Sequence, residues 1–217
     1  MFENKARAEL VRHSEKLWTR GWVANHDGNL SVRVAPQRFV CTPTGTSKAD
    51  VSDGSLLVTD AAGRILSGRK KPFGEYPMHL AIYRARSDVG AVVHAHPPYA
   101  TALGVAAREL VCFLPEAIVS LGVRVPLVPL ATPGAAAVTA LEPFLDGYDA
   151  VLVAGNGVWA WGEHVEQAYL RLELVEHLAT IAAAAAPWGG PKALPADLVA
   201  QMVEARKKYF PRYAGKG

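Results

Sequence analysis

Val89-Gly-Ala-Val-Val-His94-Ala-His96 is apolar until its last three residues and reads as a buried strand that delivers two histidines at its end. Residues i and i+2 of a strand project from the same face, so His94 and His96 present their imidazoles side by side. Two neutral imidazoles so placed can share one divalent cation. The same spacing also fits two histidines that merely close a strand. On either side of this strand the pattern turns helical, over 77–86 upstream and over 98–107 downstream, where Pro98 sits in the first turn.

Working outward, helices and strands keep alternating. A helical stripe over 4–20 stops at Gly21. Short strands follow at 30–34 and 39–41. Strands at 56–59 and 64–66 flank Asp60-Ala-Ala-Gly63, a hairpin turn with glycine in place. The C-terminal half reads as a strand over 123–130, a helix over 133–145 and strands at 150–154 and 158–161 around Gly155-Asn156-Gly157. A long helix over 163–185 and a last amphipathic helix over 195–209 complete it. This order predicts an α/β layered domain on a mixed sheet. No Gly-x-Gly-x-x-Gly follows a strand, which argues against a dinucleotide fold.

Composition limits the function classes. Of the 217 residues, 50% are hydrophobic and 20% charged, as in a globular protein with one core. One domain spanning 1–217 is expected, with a mobile tail from about residue 210. A net charge of +3, from 23 basic and 20 acidic residues, is too balanced for a nucleic-acid partner. Cys41 and Cys112 show no Cys-x-x-Cys spacing and are expected to be free thiols in a reducing compartment. The first residues carry no apolar signal region. The most apolar stretch, 178–187, falls short of the roughly 20 residues that cross a bilayer. A cytoplasmic protein without membrane contact is expected.

Three further segments can carry chemistry. Lys71-Pro-Phe-Gly-Glu75-Tyr-Pro-Met-His79 sets a lone carboxylate before a short helix. Glu75 there can ligate a metal, act as a base on a bound substrate, or simply favour the helix dipole. His79, one turn on, suits a supporting role better than ligation. Asp27-Gly28-Asn29-Leu30-Ser31 and Thr42-Pro43-Thr44-Gly45-Thr46 offer backbone N–H groups beside hydroxyl and amide side chains. Such loops can hold an anion or polar substrate, or make ordinary turns.

In order along the chain, Gly28-Asn-Leu-Ser31, Thr42-Pro-Thr-Gly45, Lys71-Pro-x-x-Glu75, Met78-His-x-Ala-Ile-Tyr83 and Val92-Val-His-x-His-x-x-Tyr-Ala-Thr101 resemble the class II aldolase/adducin family. The likeness spans about residues 5 to 205 and continues through Pro115-Glu-Ala117, Pro133-Gly134, Gly155-Asn-Gly157 and the helix bearing Glu173 and Glu176. The resemblance implies one three-layer α/β/α domain with a mixed, largely antiparallel sheet. It implies a homotetramer with active sites at subunit interfaces. It also implies a divalent metal, commonly zinc, held by histidines, with His94 and His96 as two of them. Glu75 matches the catalytic acid/base, and Gly28, Asn29, Thr44 and Gly45 match residues around the substrate's phosphate. The implied activity is retro-aldol cleavage of a small sugar-derived or hydroxy-carbonyl substrate through a metal-stabilised enediolate. Decarboxylation, 4-epimerisation and a non-catalytic adducin-like scaffold are the alternatives.

The chain departs from the family pattern in three places. The third histidine's position is taken by Asn156, a harder ligand that admits manganese, cobalt or iron beside zinc; His164 is a remote substitute. The paired serines before the catalytic glutamate are Phe73 and Gly74, which by this match face the substrate: two hydroxyl donors are lost and an aromatic ring is added, which weakens the case for a phosphorylated substrate and favours a less charged or partly apolar one. Lys70 and Lys71 can supply charge instead. No tyrosine appears at Leu114-Pro115-Glu-Ala117, and Tyr209 and Tyr213 are the nearest candidates to reach a site.

Overall fold

Alternation along the strands serves two apolar faces of one sheet. Leu30, Val32, Val40, Val58, Val93, Ala95, Leu152 and Ala160 pack on one side with Leu10, Leu17, Leu172, Val175 and Leu178. Phe39, Cys41, Leu57, Val92, Val151, Trp159 and Trp161 pack on the other with Met78, Leu80, Ile82 and Leu141. Neighbours along a strand therefore enter opposite cores, as the pleat requires. The computed structural model, which describes residues 3–214, is a three-layer α/β/α arrangement.

In chain order the elements are α1 (Glu3–Thr19), β1 (Asn29–Ala35), β2 (Arg38–Cys41), β3 (Leu57–Asp60), β4 (Ile65–Ser67), α2 (Tyr76–Ala85), β5 (Ala91–Ala95) and α3 (Pro98–Val105). There follow β6 (Leu110–Val111), α4 (Pro115–Leu121), β7 (Arg124–Val125), β8 (Leu127–Val128), α5 (Ala135–Leu141), β9 (Ala150–Val153), β10 (Val158–Gly162), α6 (Val165–Ala185) and α7 (Ala196–Tyr209). Eight strands form one sheet in the order β4-β3-β2-β1-β5-β10-β9-β8. Among the described residues only β8–β9 runs parallel, so the sheet is mixed and largely antiparallel as expected. The histidine strand β5 lies between β1 and β10.

The expected strand over 123–130 is two strands in two sheets. Pro126 has no N–H to give a ladder, and the chain changes sheets there: β7 pairs with β6, and β8 pairs with β9. The expected helix over 133–145 ends at Leu141 and tightens into a 3₁₀ turn, Glu142–Phe144, that holds Pro143. Cys41 and Cys112 are free and buried.

At the β5 end away from the histidines, Asp149 is 1% exposed and binds Arg86, Arg171 and Arg206 at 2.8, 3.0 and 3.0 Å. Burial alone would raise its carboxyl pKa, but the three guanidinium groups outweigh it and hold the carboxyl below its ordinary value. This cluster ties α2, α6 and α7 to the sheet. Tyr213, in the expected mobile tail, is buried in a 3₁₀ turn with its ring 4.1 Å from the Arg206 guanidinium. That places it beside the Asp149 cluster, at the opposite end of the strands from His94. Residues 215–217 lie outside the described residues.

Candidate active site

The register of three strands builds the site. Asn29 on β1 and Trp159 on β10 both pair with His94. The His94 ring stacks on Trp159 with centroids 4.3 Å apart. Its Nδ1 lies 2.9 Å from the Val158 carbonyl oxygen, which can only accept, so the proton sits on Nδ1 and a lone pair on Nε2. That Nε2 is buried without a hydrogen-bond partner, 3.7 Å from Glu75 Oε1. Burial, and then the neighbouring His96, push the His94 pKa down to about 3, so its ring stays neutral.

His96 follows at a centroid distance of 4.9 Å. Its Nε2 lies 3.2 Å from Asn156 Oδ1, and its Nδ1 faces Asp27 Oδ2 at 3.6 Å. Asn156 sits in the β9–β10 turn, closed by Asn156 N–H to Val153 O at 2.9 Å. The expected turn is present, and it also sets the Asn156 amide beside His96. Gly157 is required there: a Cβ would lie 2.4 Å from Ala95 O and 2.5 Å from His96 Cδ2. The turn is thus pressed against the histidines.

Glu75 stands just before α2 and makes no side-chain cap to it. Its carboxylate instead accepts from Asn29 Nδ2 at 3.0 Å on Oε2 and from Asn156 Nδ2 at 3.4 Å on Oε1. Behind Asn29, His79 Nε2–H donates to Asn29 Oδ1 at 2.7 Å, and Ser31 Oγ lies 2.7 Å from His79 Nδ1. Burial, helped by His94, keeps the His79 pKa well below that of a free histidine, so its ring is neutral with one donor and one acceptor nitrogen. Ser31, His79 and Asn29 form a buried relay that aims Glu75.

The predicted substrate residues divide. Thr44 and Gly45 are exposed at a loop stitched to the next segment by Thr44 N–H to Lys71 O, 3.0 Å. Gly45 has φ +61° and open space where a Cβ would stand, and Gly74 also faces open space. Gly28 answers to packing, since a Cβ there would meet Val23 Cγ1 at 2.6 Å and His94 O at 2.9 Å. The Asn29 side chain spends both polar ends inside the protein. Phe73 is only 8% exposed and packs edge-on to Tyr76 and His79 at 5.3 and 4.9 Å. Its ring supports the relay rather than facing a ligand, because an aromatic ring gains more in this core than in water. His164 caps α6 by accepting from Gln167 N–H at 3.2 Å and takes no part. Sequence reasoning missed Asp27 beside His96, the Trp159 platform and Lys48. Lys48 is 2% exposed and hydrogen-bonds two backbone carbonyls of the substrate loops.

The metal-binding expectation can be tested on the donors. An imidazole nitrogen with its lone pair free, buried and unpartnered at His94 is what a cation needs, and His96 Nε2 and Asn156 Oδ1 stand beside it. Among the described residues, no group of three His, Cys, Asp or Glu side chains stands ready for a metal; the candidate set takes its third donor from an amide. A cavity of about 210 Å³ opens beside Glu75 and Asn156, with Met78, Val128, Leu130 and Val153 as its apolar walls.

Glu75 and Asn156 thus line a cavity while each also faces one of the paired histidines, His94 and His96, on an α/β/α frame. Residues 8–183 match the class II aldolase and adducin N-terminal domain, and the chain belongs to that family. It is 31% identical over 214 residues to the 5-deoxy-D-ribulose 1-phosphate aldolase of Bacillus thuringiensis serovar kurstaki, covering 96% of this chain and 97% of that one. It is 32% identical over 189 residues to the methylthioribulose-1-phosphate dehydratase of Methylococcus capsulatus, covering 82% and 92%. Its structure matches a solved L-fuculose 1-phosphate aldolase with a TM-score of 0.87 and 28% identity, over 95% of this chain and 98% of that one. No helix among the described residues is long and apolar enough to cross a membrane.

Proposed function

We propose that this chain is a carbon–carbon lyase of the class II aldolase type, dependent on a divalent metal and acting on a small sugar-derived or hydroxy-carbonyl substrate. The observation that carries this is the convergence of a carboxylate, aimed by two amides, on the free Nε2 of a neutral, buried histidine. In a retro-aldol cleavage the hydroxyl β to a carbonyl loses its proton, the bond between the α- and β-carbons breaks and an aldehyde departs. The electron pair stays on the carbonyl fragment as an enediolate, which then takes a proton at carbon. Glu75 is the group to move that proton. Asn29 holds one carboxylate oxygen and Asn156 the other, so the carboxylate keeps its aim through the cycle. His94, His96 and Asn156 would hold the metal, zinc first, with manganese, cobalt and iron admitted by the amide donor. When bound, a divalent ion supplies Lewis-acid stabilisation of the negative charge.

An adducin-like scaffold has no use for Glu75, His94 and His96 held together by this relay. Decarboxylation, 4-epimerisation and the dehydration named for the Methylococcus relative call on the same groups and differ in the bond that breaks. We place the whole chain in one domain, assembled as a cytoplasmic homotetramer with interfacial sites. The family resemblance supports this, and the exposed Val111 and Val123 at an apolar cavity of about 490 Å³ offer an apolar face for a subunit contact. Product analysis on a panel of ketose 1-phosphates tests the reaction. Release of dihydroxyacetone phosphate and an aldehyde is expected; loss of water or carbon dioxide without cleavage would overturn the lyase assignment.

A further inference from the structure

Glu75 precedes α2, and His79 and Tyr83 follow it on that helix at steps of four residues, so the three share one face. Asn29 and Ser31 share one face of β1. Four helical residues rise about 6 Å and two strand residues about 6.6 Å, so the two rows keep step. They mesh like the teeth of a zip. Glu75 meets Asn29, Asn29 meets His79, His79 meets Ser31 and Ser31 meets Tyr83, at 3.0, 2.7, 2.7 and 2.8 Å. The four bonds run in one direction. A carboxylate only accepts, so Asn29 turns its amide N–H groups to Glu75 Oε2 and its oxygen to His79. His79 Nε2 therefore donates, and Nδ1 of the neutral ring accepts. Ser31 Oγ gives its proton to that nitrogen and can then only accept, from the Tyr83 hydroxyl. Tyr83 has one proton, and both its acceptors at 2.8 Å, Ser31 Oγ and Ser31 O, belong to Ser31.

We propose that Tyr83 is a positioning residue for Glu75, the head of a one-way hydrogen-bond chain through Ser31, His79 and Asn29 that pins Oε2 as an acceptor and leaves Oε1 to work on the substrate. The proposal rests on the lyase reading above. Tyr83, Ser31, His79 and Asn29 are all buried, so water does not compete for any link. The head of the chain is held in place: Phe39 packs on the Tyr83 ring at 4.9 Å, and the Arg33 guanidinium lies 5.0 Å from its centre. Burial pushes the Tyr83 phenol pKa up and the His79 pKa down, so both rings stay neutral. The chain therefore brings aligned dipoles to the carboxylate and no charge, and each bond polarises the next. The two carboxylate oxygens differ accordingly. Oε2 is held at 3.0 Å by an amide that the whole chain backs. Oε1 has the longer contact, 3.4 Å from Asn156 Nδ2, and lies 3.7 Å from His94 Nε2. Glu75 and Asn156 line the cavity of about 210 Å³, so Oε1 is the oxygen with room to meet a substrate.

The test joins NMR of the histidine ring nitrogens to kinetics, both on the full chain. In protein labelled with ¹⁵N-histidine, His79 is expected as the neutral tautomer with its proton on Nε2, its signals assigned by their loss from His79→Phe. A proton on Nδ1 would reverse the chain and overturn the proposal. Tyr83→Phe and Ser31→Ala each delete one hydroxyl. In cleavage of a ketose 1-phosphate, Ser31→Ala should lower kcat about tenfold and Tyr83→Phe about threefold, with KM unchanged. Because Tyr83 acts through Ser31, Tyr83→Phe should cost nothing further in the Ser31→Ala background. An unchanged kcat in Tyr83→Phe, a loss in KM rather than kcat, or a full second loss in the double variant overturns the chain and leaves the lyase reading intact. Where Ser31→Ala fails to fold, Tyr83→Phe and the wild-type tautomer decide. A wild type that cleaves no ketose 1-phosphate overturns the lyase reading, and the His79 tautomer then decides the chain by itself.

Discussion

The relay behind Glu75 makes a quantitative demand on stability. His79 is fully buried and donates to Asn29 Oδ1 at 2.7 Å, while Asn29 Nδ2 donates to Glu75 Oε2 at 3.0 Å. Asn29→Ala leaves the His79 N–H buried without a partner, at about 1–3 kcal/mol. It also removes a bond to a charged acceptor; Glu75 is 27% exposed in its side chain, so water recovers part of that loss. His79→Phe fits an aromatic surround of Phe73 and Trp159, at 4.9 and 5.1 Å, but strands Asn29 Oδ1 at a similar cost of about 1–3 kcal/mol. When both partners go, neither buried group is orphaned by the other. The double variant should therefore fall short of the summed single losses by both penalties together, about 2–6 kcal/mol. Urea unfolding followed by tryptophan fluorescence measures all four proteins. Additivity to within about 0.5 kcal/mol would mean that the two side chains do not couple, and the relay would have to be abandoned.

Other outcomes follow from the same geometry. Glu75→Gln should lower turnover by about 10²–10⁴-fold with little change in melting temperature, since Glu75 caps no helix; kinetics beside a thermal melt checks this, and retained activity removes Glu75 from the chemistry. Asn156→His should tighten zinc binding by about tenfold or more in competition with a chelating dye, and an unchanged affinity would place residue 156 away from the metal. Burial holds the Lys48 pKa at about 8 against 10.5 for a free lysine, so between these values the unfolded chain keeps a proton that the folded chain has released. Stability should rise with pH across that range, and urea midpoints should show the rise reduced in Lys48→Met. Asp149→Ala strands three arginines and should cost about 3–5 kcal/mol in urea unfolding; a loss under about 1 kcal/mol would show that the cluster does not tie α7 to the sheet.

The strand carrying His94 and His96 was legible because a buried strand announces itself by composition, and period-two projection places both rings together. Asn156 was legible through its place in a family motif, although a turn explains it locally just as well. The actual work of Asn29 was hidden. Only the antiparallel register that sets it opposite His94 brings its amide to Glu75 and His79, and register between distant strands leaves no mark in a single chain. Phe73 reads as new pocket surface beside a catalytic residue, yet its ring goes where aromatic packing is richest. The stretch 123–130 is strand by composition, and nothing in it tells that its halves join different sheets beyond the proline between them. α4 has seven residues, too few for a period to show. Lys48 sits in a polar loop and reads as solvated; its burial follows from long-range packing of the 3₁₀ turn that begins at Lys48 against α1.

The central claim is a metal-dependent lyase centre made by His94, His96, Asn156 and Glu75. Its most direct measurement is carbon–carbon cleavage of a ketose 1-phosphate by the wild type, by the chelated protein, by that protein reloaded with zinc or manganese, and by Glu75→Gln. Cleavage that stops on chelation, returns with metal and falls about 10²–10⁴-fold in Glu75→Gln is the predicted result. Cleavage that survives chelation, or that Glu75→Gln performs at the wild-type rate, would contradict it.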